Sequence, residues 1–175
     1  MSSPTLSSSF ASIFLRHPAR LIGTLLLAAT AFAANLAAAN EPSEKPRTIV
    51  FVCLHGSVKS QMAAAHFNQI AKDRGLPFIA LSRGIAVDTS IPAPIRDGLA
   101  QEGLAPVDNT PQSLTAEDAN AASKVFAFDE VPADKKGGAN VTYWSDVPPA
   151  TKDYSAARDA IVRHIDDLLP SLTAK

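Results

Sequence analysis

A chain of 175 residues, 46% hydrophobic and 19% charged, is enough for one domain around a single core and too little for several. Sixteen basic residues against 17 acidic ones, with no basic run, argue against nucleic acid or an anionic membrane as partner. A single cysteine excludes an internal disulfide framework.

The first 39 residues contain Arg16 and Arg20 and no acidic residue. Within them Leu21 to Ala33 is an apolar run of 13 residues, shorter than the roughly 20 needed to span a bilayer. Ala31-Phe32-Ala33 and Ala37-Ala38-Ala39 both fit an A-x-A cleavage site. The pattern predicts a secretory signal peptide over residues 1–39, cut after Ala39, with an uncleaved anchor as the alternative. No twin arginine is present, so the general secretory route is expected, with a periplasmic destination. A polar leader at 40–46, a domain at 47–170 and a short tail at 171–175 then follow. Removing the signal peptide takes away two arginines and leaves 14 basic against 17 acidic residues, with no expected membrane contact.

Apolar residues Thr48 to Val52 predict a first strand. A helix is expected from Lys59 to Asp73, with Met62, Ala65, His66, Gln69 and Ile70 at helical spacing and Gly75 beyond its end. Phe78 to Ser82 reads as a second strand, and Pro92 to Gln101 as a helix with proline in its first turn. Thr115-Ala116-Glu117-Asp118 carries the threonine cap and early acids of a helix start. Val125 to Phe128 is a third strand, Asn140 to Tyr143 a short fourth, and Tyr154 to Leu169 a closing helix. Strands separated by helices predict a parallel sheet with right-handed crossovers, a three-layer α/β sandwich. Its ligand belongs at the carboxyl ends of the strands.

Cys53 sits at that end. The segment Cys53-Leu54-His55-Gly56-Ser57-Val58-Lys59-Ser60 joins the first strand to the first helix. A small-residue loop opening a helix directs backbone N–H groups and the helix dipole at one point, which suits an anion. The same field favours a thiolate, so Cys53 is the candidate nucleophile and Leu54 to Ser60 the candidate oxyanion cradle. His55 is placed to contact an oxyanion or the thiolate. His66 and His164 pair with nothing at metal-ligand spacing, so neither a metal nor a cofactor is expected.

Cys53-x5-Lys59-Ser60 after an apolar strand resembles the low-molecular-weight protein tyrosine phosphatases and the arsenate reductases that share their fold. Ser82-Arg83-Gly84 resembles the Ser-Ala-Gly that ends the family's second strand, and Ile95 to Leu114 its helix-and-loop segment. Val125-Phe126-Ala127-Phe128-Asp129 resembles its third strand and the following aspartate. Tyr143-Trp144-Ser145-Asp146-Val147-Pro148 lies where the family keeps its general-acid loop, and the likeness extends from Arg47 to Leu169.

The resemblance implies a four-stranded parallel sheet flanked by helices and hydrolysis of phosphate monoesters through a cysteinyl phosphate. It implies Asp146 as the general acid, with Asp153 as a second candidate, and Tyr143 and Trp144 as a substrate rim. Lys59 stands where the family has arginine, which exchanges a bidentate fork for a point donor. Arg83, in place of a small residue, is a candidate to return guanidinium character to the site. Phosphate or a related oxyanion, or a phosphorylated protein, is the implied partner. A single-cysteine arsenate reductase-like activity and a catalytically impaired oxyanion-binding module are the competing readings. The single cysteine excludes a relay through further protein cysteines.

Overall fold

Strand β1 (Arg47–Cys53) has no solvent face beyond its first turn of chain: Ile49, Val50, Phe51 and Val52 are wholly buried and Cys53 nearly so. A strand buried on both sides reads as a continuous apolar run rather than an alternation, which is why it stands out in the sequence. The computed structural model describes residues 45–173; the expected signal peptide, its cleavage point and most of the polar leader lie outside the described residues. Among the described residues no helix is long and apolar enough to cross a membrane.

The sheet also contains β2 (Phe78–Gly84), β3 (Lys124–Ala127) and β4 (Val141–Tyr143), ordered β2-β1-β3-β4 with all neighbours parallel. The helices are α1 (Lys59–Asp73), α2 (Ala93–Gln101), α3 (Ala116–Ala121), α4 (Ala133–Lys136) and α5 (Tyr154–Thr173). Alternation along β1 divides the core. Ile49, Phe51 and Cys53 face a large cluster with Met62 and Phe67 of α1, Leu99 of α2 and Ile161 and Ile165 of α5. Val50 and Val52 face a smaller one with Leu114, Ala119 and Val131. This is the expected three-layer α/β sandwich. Its centre is aromatic: Phe51 lies 5.6 Å from Phe126 and 5.5 Å from Trp144, ring centre to ring centre. Truncating a side chain as buried as Phe51 to alanine costs about 3–5 kcal/mol.

Local chemistry sets the element ends. Thr115 Oγ1 accepts the Asp118 N–H, and Asp118 returns the bond to the Thr115 N–H, a reciprocal cap that starts α3. On the outer edge of β2, the Asn68 amide accepts from the Ala80 N–H at 2.7 Å and donates to the Ala80 carbonyl at 3.0 Å. Gly84 at the strand's end pairs instead with the segment around Ser113.

Two elements differ from expectation. The short helix α4 has no apolar periodicity in Ala-Asp-Lys-Lys, so the sequence gives no sign of it. Helix α5 continues through Pro170 to Thr173, into the residues expected as a tail. Leu172 is buried there, and the Ser171 and Thr173 hydroxyls bond the carbonyls of Leu168, Leu169 and Pro170.

His66 on α1 is nine-tenths buried, with Nε2 3.4 Å from Glu102 Oε2. Burial pushes its imidazole below the ordinary range, Glu102 pulls it back in part, and Arg158 pushes with the burial. A lowered folded-state value means that the unfolded chain takes up the proton first, so stability present above the ordinary imidazole range is lost below it. Denaturant midpoints should therefore fall between about pH 7.5 and about pH 5.5, and His66→Leu should lessen that fall.

Candidate active site

The loop from Cys53 to Lys59 is held by its carbonyls. Leu54 O accepts from the N–H groups of Ile85 and Ala86, and His55 O accepts from Asp88 N–H. Gly56 O accepts from Gln61 Nε2, and Ser82 Oγ lies 3.3 Å from it. Across a planar trans peptide the following N–H points the opposite way, so the N–H groups of His55, Gly56 and Ser57 point away from the groups that bond these carbonyls. Helix α1 begins there at Lys59, with neither a side-chain cap nor an acid in its first turn, which keeps its N-terminal field available to an anion.

Gly56 makes the bend with φ at +66°, as its place in the loop predicts. A Cβ on Gly56 would lie 2.9 Å from the Gly84 nitrogen, and one on Gly84 would lie 2.7 Å from the Gly56 nitrogen. The loop and the end of β2 thus pack backbone against backbone. Gln61, fully buried on α1, extends the clamp: it donates to Gly56 O and accepts the Val107 N–H at 3.1 Å. Its place in the sequence as one more polar helical residue gave no sign of this.

Cys53 Sγ lies 3.0 Å from Ser60 Oγ, and Ser82 Oγ lies 2.9 Å from Ser60 Oγ. With Ser82 donating to Ser60, the Ser60 hydroxyl is free to donate to sulfur. All three side chains are buried, so the chain of hydroxyls is shielded from competing water. Such a donor stabilises the sulfur as an anion.

Cys53 opens into a cavity of about 280 Å³, shared by Leu54, His55, Val58, Lys59, Asp129 and the segment Pro149-Ala150-Thr151. Ser57 and Ser60 are fully buried below the loop surface, and Gly56 is absent from the cavity wall, so the predicted cradle divides into walls and floor. Lys59 Nζ is 4.0 Å from Asp129 Oδ1 and 5.4 Å from the centre of the Phe128 ring. Asp129 Oδ2 accepts the Leu54 N–H at 2.8 Å. Asp129 is the one carboxylate lining this cavity among the described residues, and follows the third strand as the sequence led us to expect.

Five expected site residues lie elsewhere. The Asp146 carboxylate is bound by His164 Nε2 at 2.8 and 3.0 Å and does not line the cavity, because His164 stacks flat on Trp144 and draws Asp146 with it. Trp144 is only 5% exposed and belongs to the aromatic core, not to a rim. Tyr143 is exposed, but its hydroxyl bonds Glu130 outside the cavity wall. Arg83 is paired with Asp118 at 3.1 and 3.2 Å, on the sheet face opposite Ser82, as strand alternation requires. Asp153, the second acid candidate, accepts the Ala156 N–H at the start of α5. Among the described residues no three metal-ligating side chains converge.

Two substitutions separate these roles. Ser60→Ala should slow alkylation of Cys53 by iodoacetamide at neutral pH by about tenfold, the worth of one charge-assisted hydrogen bond. The His164 hydrogen bond holds the Asp146 carboxyl below the usual carboxylate range, so its contribution is present above that range and fades as acid protonates it. Asp146→Asn should therefore destabilise the fold near neutral pH, the difference closing in strong acid, while iodoacetamide still reacts with Cys53 at the wild-type rate.

Residues 48–168 match the family described as low molecular weight phosphotyrosine protein phosphatase. The fold is similar to that of YfkJ from Bacillus subtilis, at 22% identity over 73% of this chain and 95% of that one, with a TM-score of 0.64. It is also similar to a low molecular weight protein tyrosine phosphatase from T. tengcongensis, at 22% identity over 72% and 99% of the two chains, with a TM-score of 0.60. A drosophila arginine phosphatase, DARP, has 15% identity over 73% and 98%, with a TM-score of 0.62. No curated protein matches the chain. With the family pattern spanning 48–168, the chain belongs to the low molecular weight phosphotyrosine protein phosphatases.

Proposed function

We propose that this protein is an exported phosphatase that hydrolyses phosphate monoesters through a cysteinyl phosphate on Cys53. Family membership supports a cysteine-dependent phosphatase or a related arsenate reductase-like chemistry. The observation that favours phosphoryl transfer is the buried Cys53–Ser60–Ser82 chain beneath an anion loop at the start of α1. In this reading the phosphoryl oxygens take the inward N–H groups of the loop, and Cys53 Sγ attacks phosphorus from below. Attack forms the P–S bond and expels the leaving oxygen; water then cleaves that bond and releases phosphate.

Lys59 supplies charge at the wall of the cavity, tethered by Asp129. It offers one ammonium where a guanidinium would bind two oxygens in parallel. Loss of one well-placed transition-state donor lowers turnover by roughly 10²–10³-fold, so slow turnover is part of the proposal. The similarity to both a tyrosine and an arginine phosphatase leaves a second substrate class in play, a phosphoramidate whose leaving atom is nitrogen rather than the oxygen of an ester. Export rests on the leader, with its short apolar run and its A-x-A site.

Under reducing conditions an aryl phosphate should be hydrolysed by the wild type and not by Cys53→Ser. Lys59→Arg should raise kcat by about tenfold or more, recovering part of the lost donor. Equal turnover in wild type and Cys53→Ser would overturn the cysteine mechanism. In a secreting bacterial host, the mature protein should begin at Asn40 by amino-terminal sequencing; an intact Met1 in the membrane fraction would replace cleavage by an anchor, and an intact Met1 in the cytosol would overturn export.

A further inference from the structure

Thiolate attack on an ester is slow unless the leaving oxygen receives a proton. Asp146 is turned to His164 and Asp153 to the start of α5, and the cavity's third wall, Pro149-Ala150-Thr151, carries no acid. Asp129 spends one oxygen on the Leu54 N–H and turns the other to Lys59, which suits it to hold the loop and the lysine.

Apart from Lys59, whose ammonium is turned to Asp129 and the Phe128 ring, the proton carrier in the cavity wall is His55. Its Nδ1 lies 3.1 Å from the Ala86 carbonyl oxygen, which can only accept, so Nδ1 carries a proton. The same nitrogen lies 3.4 Å from Asp88 Oδ1. Asp88 is itself fixed, with Oδ2 accepting from Ser57 Oγ at 2.5 Å and its N–H donating to His55 O at 3.1 Å. A carbonyl and a carboxylate thus fix the orientation of the ring from its Nδ1 side, as the third member of a triad does for its imidazole. Nε2 has no partner among the described residues.

We infer that His55, positioned by Asp88, is the acid–base catalyst of the Cys53 reaction, in place of a carboxylic acid. The inference rests on the phosphatase reading. In the first step Sγ forms a bond to phosphorus, the P–O bond to the leaving group breaks, and the Nε2 proton passes to the departing oxygen. In the second step neutral Nε2 takes a proton from water as that oxygen bonds phosphorus. The P–S bond then breaks, returning phosphate, the thiolate and the protonated ring. The charged groups that share the site are Asp88 beside Nδ1 and Lys59 and Asp129 in the cavity wall.

The experiment compares wild type, His55→Gln, Asp88→Asn and Cys53→Ser on two esters, 4-nitrophenyl phosphate and phenyl phosphate. The nitrophenolate departs without help, whereas phenolate needs the proton. His55→Gln should lower kcat on both esters, because the second step loses its base, and should lower kcat/KM, which reports the first step alone, by roughly 10²–10⁴-fold more for phenyl phosphate than for the nitrophenyl ester. The decline of wild-type kcat/KM for phenyl phosphate with rising pH, the mark of a general acid, should vanish in this variant. Asp88→Asn, which keeps an acceptor for Ser57, should weaken the difference between the esters without abolishing that decline. Thermal melting and phosphate-induced stabilisation check that both variants keep the loop. An unchanged ratio between the esters, with an unchanged pH profile in His55→Gln, overturns the assignment while leaving the cysteine mechanism standing. Absence of Cys53-dependent release from either ester overturns both.

Discussion

Contact between two stretches of bare backbone organises this molecule. Gly56 in the loop and Gly84 at the end of β2 approach so closely that a methyl group on either would collide with the other's main chain. That contact brings the carbonyls of Leu54 and His55 within reach of the N–H groups of residues 85, 86 and 88. The bonding of those carbonyls then decides which way the intervening amides face. An anion cradle here is less a set of side chains than a consequence of two missing ones. The cost of either glycine to the unfolded chain is about 0.5–1 kcal/mol, small beside the loss of the loop's geometry.

Around that contact the polar groups divide into those fixed by other polar groups and those left to act. Gln61, Ser57 and Asp88 are engaged on both sides. Cys53, His55 and Lys59 line the cavity. Lys59 marks the departure from the family pattern. A compact ammonium on a flexible stem needs a tether to hold position, and Asp129 and the Phe128 ring provide one.

Much of this was legible in the residues. The buried run of β1, the helix from Lys59, the Thr115 cap and the loop around Cys53 follow from periodicity and small-residue chemistry. What could not be read was the direction of single side chains in the last third of the chain. Trp144 looks like a rim aromatic in sequence, yet Phe51 and Phe126 provide a core site for it, and the stacking of His164 then removes Asp146 from the cavity. Arg83 was legible in principle, since its neighbour Ser82 reaches Ser60 and alternation sends Arg83 to the other face. Asp88 and Gln61 were invisible because their partners are backbone atoms and residues far away in sequence.

The Asn68 bond to Ala80 has a meaning beyond the fold of one molecule. β2 is an outermost strand, and its outward row of main-chain groups would otherwise invite another chain to extend the sheet. Here the Phe78 N–H is turned to Leu76, Ala80 is occupied by the Asn68 amide, the Ser82 carbonyl by Arg83, and Gly84 by the 112–114 segment. An incoming strand finds almost no unspent donor or acceptor along this border. The primary amide of Asn68 stands in for a peptide group, so the sheet ends there without a further strand, and edge-to-edge aggregation is refused at the point where the fold most exposes itself to it.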